Sequence, residues 1–497
     1  MKKWTIILQM SAENDLIYNS VSAFNELGEV GSTDDINYII LFDGIETPKY
    51  PLAPAFPCVY KMEKGMKFEN AKPYKNFGEQ YDQMADTNIL TELFNYIKET
   101  FPAENFGFIY KGHGGAEGTD IASGKFYSTK ILELPKGNYK EVEEQLIAIG
   151  GEHLEFEGYC DHAEGGKIIL AIYSNKEQGE YLTYAGLAKC LSKVFPKKGL
   201  AFVCLDCCWG QQIEHAYTFK DVSDYFIASV DEMPSLGLGY KELCHYLNAR
   251  PHILPYELAK MLVAVYFVKN YADYDSPIEY FRQMGVSLTC VNTTQLKKHL
   301  ELFNAVCNRI IEKINDHHTT LSASLHCCRD YTYDLERSDY AVYNLDLIWF
   351  LENIMHFNES DAELNNRILE LIRHHFLYYV RGYMGNNYRD SKPGEICLGG
   401  RGVSICFPRN RKELETSLYY GAGKPKFVKD SKWKKMLLAY YKSLPRKKTP
   451  PAKKSVMRST VSRAGESIRT SAAALQSPGI SSKWGNFHPA KGKDVGS

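Results

Sequence analysis

Two short stretches combine residue types that can perform nucleophilic catalysis. In one, the mostly apolar run 200–205 leads into Asp206 and, two residues later, Cys208. In the other, the apolar run 106–110 leads into His113, which has glycines on both sides. A thiol attacks a carbonyl carbon as the thiolate, so it needs a base, and histidine is the usual base near neutral pH. Together the stretches predict a cysteine nucleophile with a histidine base.

Backbone amides beside these side chains complete the predicted catalytic group. The amides of Gly114 and Cys208 would point at the carbonyl oxygen under attack and form an oxyanion hole, where each donor contributes roughly 3 kcal/mol. Glycine at position 114 lets the backbone approach a substrate closely. We also expect the helix predicted at 211–217, behind Cys208, to favour the thiolate through its first amides. A buried cysteine and a turn histidine are common separately, so spacing alone leaves a purely structural role open.

Two acidic residues are candidates for substrate recognition. Side chains alternate along a strand, so Asp206 and Cys208 lie on the same side of the strand end. A carboxylate beside a thiol raises the pKa of that thiol unless a cation occupies the carboxylate. We therefore predict that Asp206 lines the pocket for the residue before the cleaved bond (the S1 pocket, for P1) and selects Lys or Arg. Asp231 would add a second carboxylate there; a solvated loop acid is the alternative for Asp231.

No separate metal or redox site is predicted. Cys204 and Cys207 have C-x-x-C spacing, but they fall inside a predicted strand and not at a helix start. No second C-x-x-C and no spaced histidine pair completes a zinc site. The sequence also contains no Walker A or G-x-G-x-x-G pattern, so no nucleotide cofactor is expected.

The composition is typical of a globular protein in a reducing compartment. The chain has 497 residues, 44% of them hydrophobic, and a net charge of −1, which gives no general attraction to nucleic acid or membrane. No apolar stretch reaches the roughly 18 residues that a membrane-spanning helix needs. Thirteen cysteines, an odd number without a regular framework, favour reducing conditions, so we expect a cytoplasmic protein.

Strands that alternate with helices predict an α/β fold, an open and mostly parallel central sheet flanked by helices. The candidate residues follow strand ends, where such sheets place their sites. Strands are predicted at 4–9, 36–42, 106–110, 200–205 and 225–229, with helices at 13–27, 89–97 and 182–195 between them. Residues 47–81 are predicted to be loops, and 116–180 an insertion that contains a hairpin of 153–159 with 167–173.

The second half of the chain is predicted to be mainly helical across 241–400. Helices are expected at 255–271, 296–314, 345–355 and 364–380, and a strand at 402–408 is expected to join the same sheet. The catalytic unit would therefore span 1–443. Residues 444–497 hold eleven Lys and Arg against two acids and are predicted to be a disordered basic tail, either a solvated linker or a contact for an acidic partner.

These motifs resemble those of the clostripain family, the C11 peptidases of clan CD, which have a caspase-like fold. His113-Gly114 matches the family's catalytic His-Gly. The block 206–214 is similar to its Asp-Ala-Cys-Leu-Met-Gly…Glu block, which assigns the nucleophile to Cys208 over Cys207. Further family blocks are matched in order by 4–16, 225–240, 287–292 and 402–408. Departures are Cys207 in place of Ala and Trp209-Gly210 in place of Leu-Met.

The resemblance implies an endopeptidase that cleaves after Arg or Lys through a Cys208–His113 dyad. It also implies a zymogen that cleaves itself between the histidine and cysteine strands, with Lys125, Lys130, Lys136 and Lys140 as candidate positions. Calcium activates some members of the family, but the sequence has no EF-hand-like ligand string. The alternative hypothesis is a catalytically silent protein of the same fold that binds a partner.

Overall fold

A central β-sheet organises the chain. The computed structural model describes residues 1–114, 182–272, 287–328, 344–374, 401–416 and 425–445, apart from short gaps, and the strands at 130–135, 156–159, 167–172 and 377–381. Within these ranges residues up to 444 belong to one compact unit. The predicted tail lies outside the described residues from 446 onward.

The described strands and helices have the following bounds. The strands are β1 Lys2–Ala12, β2 Ile36–Gly44, β3 Cys58–Lys61, β4 Lys75–Asn76, β5 Ala103–Lys111, β6 Lys130–Pro135, β7 Phe156–Tyr159, β8 Lys167–Ile172, β9 Leu200–Asp206, β10 Ser223–Ala228, β11 Leu288–Asn292, β12 Asn344–Asp346, β13 Leu377–Arg381 and β14 Ser404–Cys406. The helices are α1 Ile17–Val30, α2 Thr87–Thr100, α3 Tyr184–Val194, α4 Ile213–Thr218, α5 Tyr240–Ala249, α6 Pro255–Ala272, α7 Leu296–Glu312, α8 Ile314–His326, α9 Leu347–Phe357, α10 Ala362–Arg373, α11 Arg411–Thr416, α12 Lys426–Asp430 and α13 Trp433–Ser443.

Nine of these strands form the central sheet in the order β13–β11–β10–β9–β5–β1–β2–β3–β4. The five middle strands run parallel, and antiparallel strands extend both edges. This arrangement confirms the predicted α/β class with its open, mostly parallel sheet. In the register of β5 with β9, Lys111 lies opposite Asp206. The two strands that carry the predicted catalytic residues therefore end side by side.

The middle strands are apolar throughout because both faces of the sheet are covered. Along β9, Val203 and Leu205 are buried in the core beneath α2 and α3, whereas Phe202 and Cys204 face the core that α1, α5 and α6 cover. Complete burial of one large apolar side chain stabilises the folded state by about 1.5–3 kcal/mol. This two-sided burial holds the ends of β5 and β9 in fixed positions.

Helix α2 illustrates how local signals set the element bounds. The side chain of Asp86 accepts a hydrogen bond from the backbone N–H of Asn88, so it caps the N-terminus of the helix. The apolar residues at 90, 93, 94 and 97 are buried against the sheet. In the predicted insertion, β7 pairs antiparallel with β8, which confirms the hairpin.

Three predictions about the edges of the sheet were wrong. Residues 47–81 contain β3 and β4, which pair antiparallel beyond β2. The helix predicted for 364–380 ends at Arg373, and β13 then pairs with β11. Strand β14 pairs with β12 in a separate two-stranded sheet and does not join the central one. These strands have two to five residues, too few to show a periodicity in the sequence.

Two further observations concern the helices and the cysteines. None of the helices within the described ranges is both long and apolar enough to cross a membrane. Eleven cysteines fall within the described residues, and no disulfide joins any two of these eleven.

Candidate active site

The ends of β5 and β9 bring the predicted histidine and cysteine turns into contact. A Cβ atom placed on Gly114 would overlap the carbonyl oxygen of Cys208 and lie 2.7 Å from the Sγ atom of Cys207. Position 114 therefore accepts only glycine without a shift of the backbone. His113 and Cys208 are both half-buried at this edge, where a bound molecule can reach them.

Cys208 lies in a tight turn after β9. The next residue, Trp209, has a φ of 51°, in the left-handed region that a bulky side chain rarely adopts. Such conformations persist where the surrounding structure enforces them, and they are concentrated at functional sites. The backbone N–H of Met233 donates a hydrogen bond to Cys208 Sγ over 3.3 Å. An N–H group directed at sulfur favours the thiolate over the thiol.

The predicted helix behind the nucleophile is present, but it lies further from Cys208 than its first amides can reach. Helix α4 begins at Ile213, five residues beyond Cys208, and has only six residues. The left-handed Trp209 and the extended Gln212 separate the two. Because a helix dipole acts mainly within its first turn, the thiol at 208 gains little from it. The donor that the structure supplies is the Met233 amide, which sequence patterns do not indicate.

A buried cluster behind the turn distinguishes the two neighbouring cysteines. His215 Nδ1 donates to the carbonyl oxygen of Gly210 over 3.0 Å, and its ring lies 4.4 Å from the ring centroid of Tyr184. The hydroxyl of Tyr184 lies 3.5 Å from Cys207 Sγ. Burial raises the pKa of Cys207 to about 12. Cys207 is therefore a core thiol, and Cys208 is the accessible one.

The segment that follows the turn is bonded to the C-terminal part of the chain. The N–H of Ser404 donates to the carbonyl oxygen of Gln211 over 3.0 Å, and the N–H of Cys406 donates to a Glu214 carboxylate oxygen over 3.1 Å. The indole N–H of Trp433 donates to the carbonyl oxygen of Cys406 over 2.9 Å. The short sheet of β12 and β14 therefore anchors the backbone behind the nucleophile turn.

Asp206 is buried in a polar cluster with two partners. Lys111 Nζ lies 3.1 Å from Asp206 Oδ2, and the hydroxyl of Tyr240 donates to the same oxygen over 2.5 Å. The Lys111 ammonium also lies 5.7 Å from the centroid of the Tyr240 ring. The side chains of Asp206 and Lys111 are only 1% and 7% exposed. Lys111 was not among the predicted site residues, although a lysine directly after the apolar run 106–110 is a signal for a buried charged group.

The backbone of Gly237 covers this cluster. Its φ is 60°, and a Cβ atom at this position would lie 2.7 Å from Asp206 Oδ2 and 2.9 Å from Lys111 Nζ. Glycine is needed here both for the left-handed conformation and for the close approach. Asp231, the second predicted S1 acid, lies outside the described residues.

Comparison with known proteins decides the family. The model of the clostripain family, Peptidase_C11, matches residues 160–440, more than half of the chain. The chain belongs to the clostripain family. It is therefore a cysteine peptidase. No curated protein matches its sequence.

Two solved structures share the fold of this clostripain-family peptidase. One is a secreted C11 cysteine protease from Bacteroides thetaiotaomicron in complex with an irreversible peptide inhibitor, with 17% identity, a TM-score of 0.54, and coverage of 87% of this chain and 100% of the other. The second is an inactive zymogen C11 protease from Parabacteroides distasonis, with 14% identity, a TM-score of 0.54, and coverage of 86% and 98%. These similarities support the caspase-like α/β architecture.

Calcium, which the family resemblance implies for some members, is not assigned to a side-chain cluster in the part of the peptidase that the structure describes. Calcium takes six to eight oxygen ligands, usually with several carboxylates. The described residues contain no group of three or more His, Cys, Asp or Glu side chains that could hold a metal ion. No step of the proposed chemistry is therefore routed through calcium.

Because His215 is buried, we expect the free energy of unfolding of the peptidase to fall at acidic pH. Burial lowers the pKa of His215 to about 4, against about 6.5 in an unfolded chain. Between these values the unfolded state binds a proton that the folded state does not, so the free energy of unfolding falls as the pH falls. The full contribution of this group is about 3 kcal/mol.

Urea unfolding of the wild type and of His215→Asn at several pH values between 7 and 4 checks this expectation. Asparagine can donate to the same carbonyl without titrating. The free energy of unfolding of His215→Asn should therefore fall less steeply as the pH falls, and the difference in slope corresponds to at most one proton. His326→Gln, which changes an exposed histidine at the end of α8, is the matched control and should follow the wild type. Parallel curves for wild type and His215→Asn would contradict the assignment.

Proposed function

We propose that this clostripain-family peptidase is an endopeptidase with Cys208 as its nucleophile and His113 as its base. The observation that carries the proposal is the contact of Gly114 with the backbone of Cys208, which places the histidine turn beside the thiol turn. The accessible Cys208 and the core position of Cys207 support the same choice of nucleophile.

The proposed reaction uses groups at the ends of β5 and β9. His113 accepts the proton of the Cys208 thiol, and the sulfur attacks the carbonyl carbon of the scissile peptide bond. The amides of Gly114 and Cys208 stabilise the oxyanion of the tetrahedral intermediate. His113 then protonates the leaving amine, which breaks the C–N bond and leaves a thioester. Water, deprotonated by His113, hydrolyses the thioester and releases the acid and the free thiol.

We further propose that the cleaved bond follows Arg or Lys in a protein or peptide substrate. The support is the position of Asp206, two residues before Cys208 at the same strand end, where a carboxylate can bind a cationic side chain. Asp231 stays the second candidate for this pocket. Because Lys111 is already bonded to Asp206, a basic substrate side chain has to compete with that lysine.

Covalent labelling tests the nucleophile directly. Two peptidyl acyloxymethyl ketones, one with arginine and one with norleucine at P1, are incubated with the full chain, and the modified peptide is identified by mass spectrometry. We expect one label per chain on Cys208 from at least one probe, and none on Cys208→Ser. Labelling of Cys207 instead, or no labelling at all, would reject the proposal.

Self-cleavage is a second expected outcome. The structural relative from Parabacteroides distasonis is described as a zymogen, and the insertion between β5 and β9 carries the four candidate lysines. Of these, Lys130 is the first residue of β6, and Lys125, Lys136 and Lys140 lie outside the described residues. Intact-mass spectrometry should show two fragments for the wild type, cut after one of these lysines, and one uncut chain for Cys208→Ala. If the wild type and Cys208→Ala differ in mass only by the substitution, the chain does not cleave itself and the zymogen proposal is rejected.

A catalytically silent, partner-binding member of the fold is the second candidate function. The observation that favours it is the internal pairing of Asp206, which leaves this carboxylate 1% exposed. Absence of labelling by both probes, in a chain that is folded by circular dichroism, would select this alternative.

Two further proposals concern the surroundings of the chain. We propose a cytoplasmic location, supported by thirteen cysteines without a regular framework. We also propose that the basic tail contacts an acidic partner, supported by its eleven Lys and Arg against two acids. Binding that weakens steeply with added salt is the expected signature of such a contact.

A further inference from the structure

We propose that Lys111 is a specificity-determining residue that competes with the substrate's P1 side chain for Asp206. The inference depends on the proposed endopeptidase function and deepens it, because it predicts how strongly the peptidase distinguishes basic from uncharged P1 residues. In the structure the lysine that ends β5 occupies the carboxylate that a basic substrate side chain would need.

The geometry of the pair supports this competition. The Lys111 ammonium lies 3.1 Å from Asp206 Oδ2, within hydrogen-bond distance of the carboxylate. The Tyr240 hydroxyl donates to the same oxygen, and the backbone of Gly237 covers both charged groups. The carboxylate is therefore satisfied without substrate. A P1 cation gains access to it only if Lys111 moves away.

The pair also resolves a conflict in the chemistry of the site. A free carboxylate two residues before Cys208 would oppose formation of the thiolate. Lys111 cancels that charge in the resting peptidase, so no cation from the substrate is needed to do so. Cys208 can then also attack after an uncharged P1 residue, so the preference for Arg or Lys is smaller than an unpaired carboxylate would give.

Removal of Lys111 is expected to increase the preference for a basic P1 residue. A buried carboxylate that loses its partner is strongly unfavourable, whereas replacement of both charges by neutral groups costs little. In Lys111→Met a basic P1 side chain restores the missing charge, and an uncharged one does not. In Lys111→Met/Asp206→Asn no charge remains to be balanced.

The test compares two peptide substrates that differ only at P1, with arginine or the uncharged, nearly isosteric citrulline. The ratio of their kcat/KM values is measured for the wild type, Lys111→Met and Lys111→Met/Asp206→Asn. We expect the wild-type ratio to stay within about tenfold and Lys111→Met to raise it about 100-fold. The double variant should return to within about threefold of the wild type.

A control breaks another ion pair, one in which the carboxylate is buried and the cation is partly exposed. Arg309 Nε donates to Asp361 Oδ2 over 2.8 Å, and the side chain of Asp361 is 4% exposed. Arg309→Met should lower the thermal midpoint of unfolding without a change in the arginine-to-citrulline ratio. If Lys111→Met fails to fold, the wild type is compared with the double variant alone. The pair at positions 111 and 206 carries no net charge in either protein, so the two should have the same arginine-to-citrulline ratio of kcat/KM.

Two results would overturn the role of Lys111. One is an unchanged ratio in Lys111→Met; the other is a wild-type preference for arginine of about 1,000-fold that the double variant loses. Both are distinct from failure of the proposed function, since they require cleavage that depends on Cys208. Absence of cleavage of either substrate, together with no label on Cys208, rejects the endopeptidase and the competition together.

Discussion

Replacement of Cys208 by alanine is expected to lower kcat/KM for peptide hydrolysis by at least about 10⁴-fold. The sulfur forms the covalent bond in the proposed reaction, and no neighbouring group can substitute for it. Cys207 is the neighbouring thiol in the sequence, but it is directed into the core, where its Sγ lies 3.5 Å from the Tyr184 hydroxyl and its pKa is raised to about 12. A thiol held in the protonated form does not attack a carbonyl carbon.

Kinetics of Cys208→Ala, His113→Ala and the double variant test whether the two residues act as a unit. Each single change should cost nearly as much as both together, since the base has no function without the nucleophile. Cys207→Ala is the matched control and should keep activity within about tenfold. Substantial hydrolysis by Cys208→Ala, or full additivity of the two single losses, would count against the dyad.

The position of the site was predictable because strand patterns determine more than secondary structure. Runs 106–110 and 200–205 are apolar on both faces, which indicated central parallel strands, and the carboxyl ends of such strands share one edge. The residue types beyond those ends then suggested a thiol and its base. The structure confirms the strands and brings Gly114 against Cys208.

The contacts of Asp206 could not be predicted in the same way. They depend on the register between β5 and β9, which places Lys111 directly opposite Asp206. That register is set by packing of the whole sheet, and a shift of one residue would move Lys111 to the other face. Tyr240 reaches the same carboxylate from α5, far away in sequence. Sequence patterns indicate local structure, and such encounters between distant segments leave no periodic signal.

The substitution Gly114→Ala is expected to reduce kcat by about 10³-fold, with a smaller change in KM. The added methyl group would overlap the carbonyl oxygen of Cys208 and lie 2.7 Å from Cys207 Sγ, so one of the two turns has to shift. The proposed oxyanion donors at 114 and 208 belong to those two turns. Loss of one such donor typically costs 10²–10³ in kcat, and a shift of about 1 Å at the nucleophile adds to that.

Steady-state kinetics and thermal unfolding of Gly114→Ala separate this effect from general instability. Gly186→Ala is the matched control, because it lies within α3, where the nearest atom to an added Cβ is Thr183 Oγ1 at 3.1 Å. The control should keep the wild-type kcat within about twofold, since alanine is also the better helix former. A folded Gly114→Ala with wild-type kcat would show that Gly114 is not in close contact with the backbone of Cys208. The proposed dyad would then lose the observation that supports it.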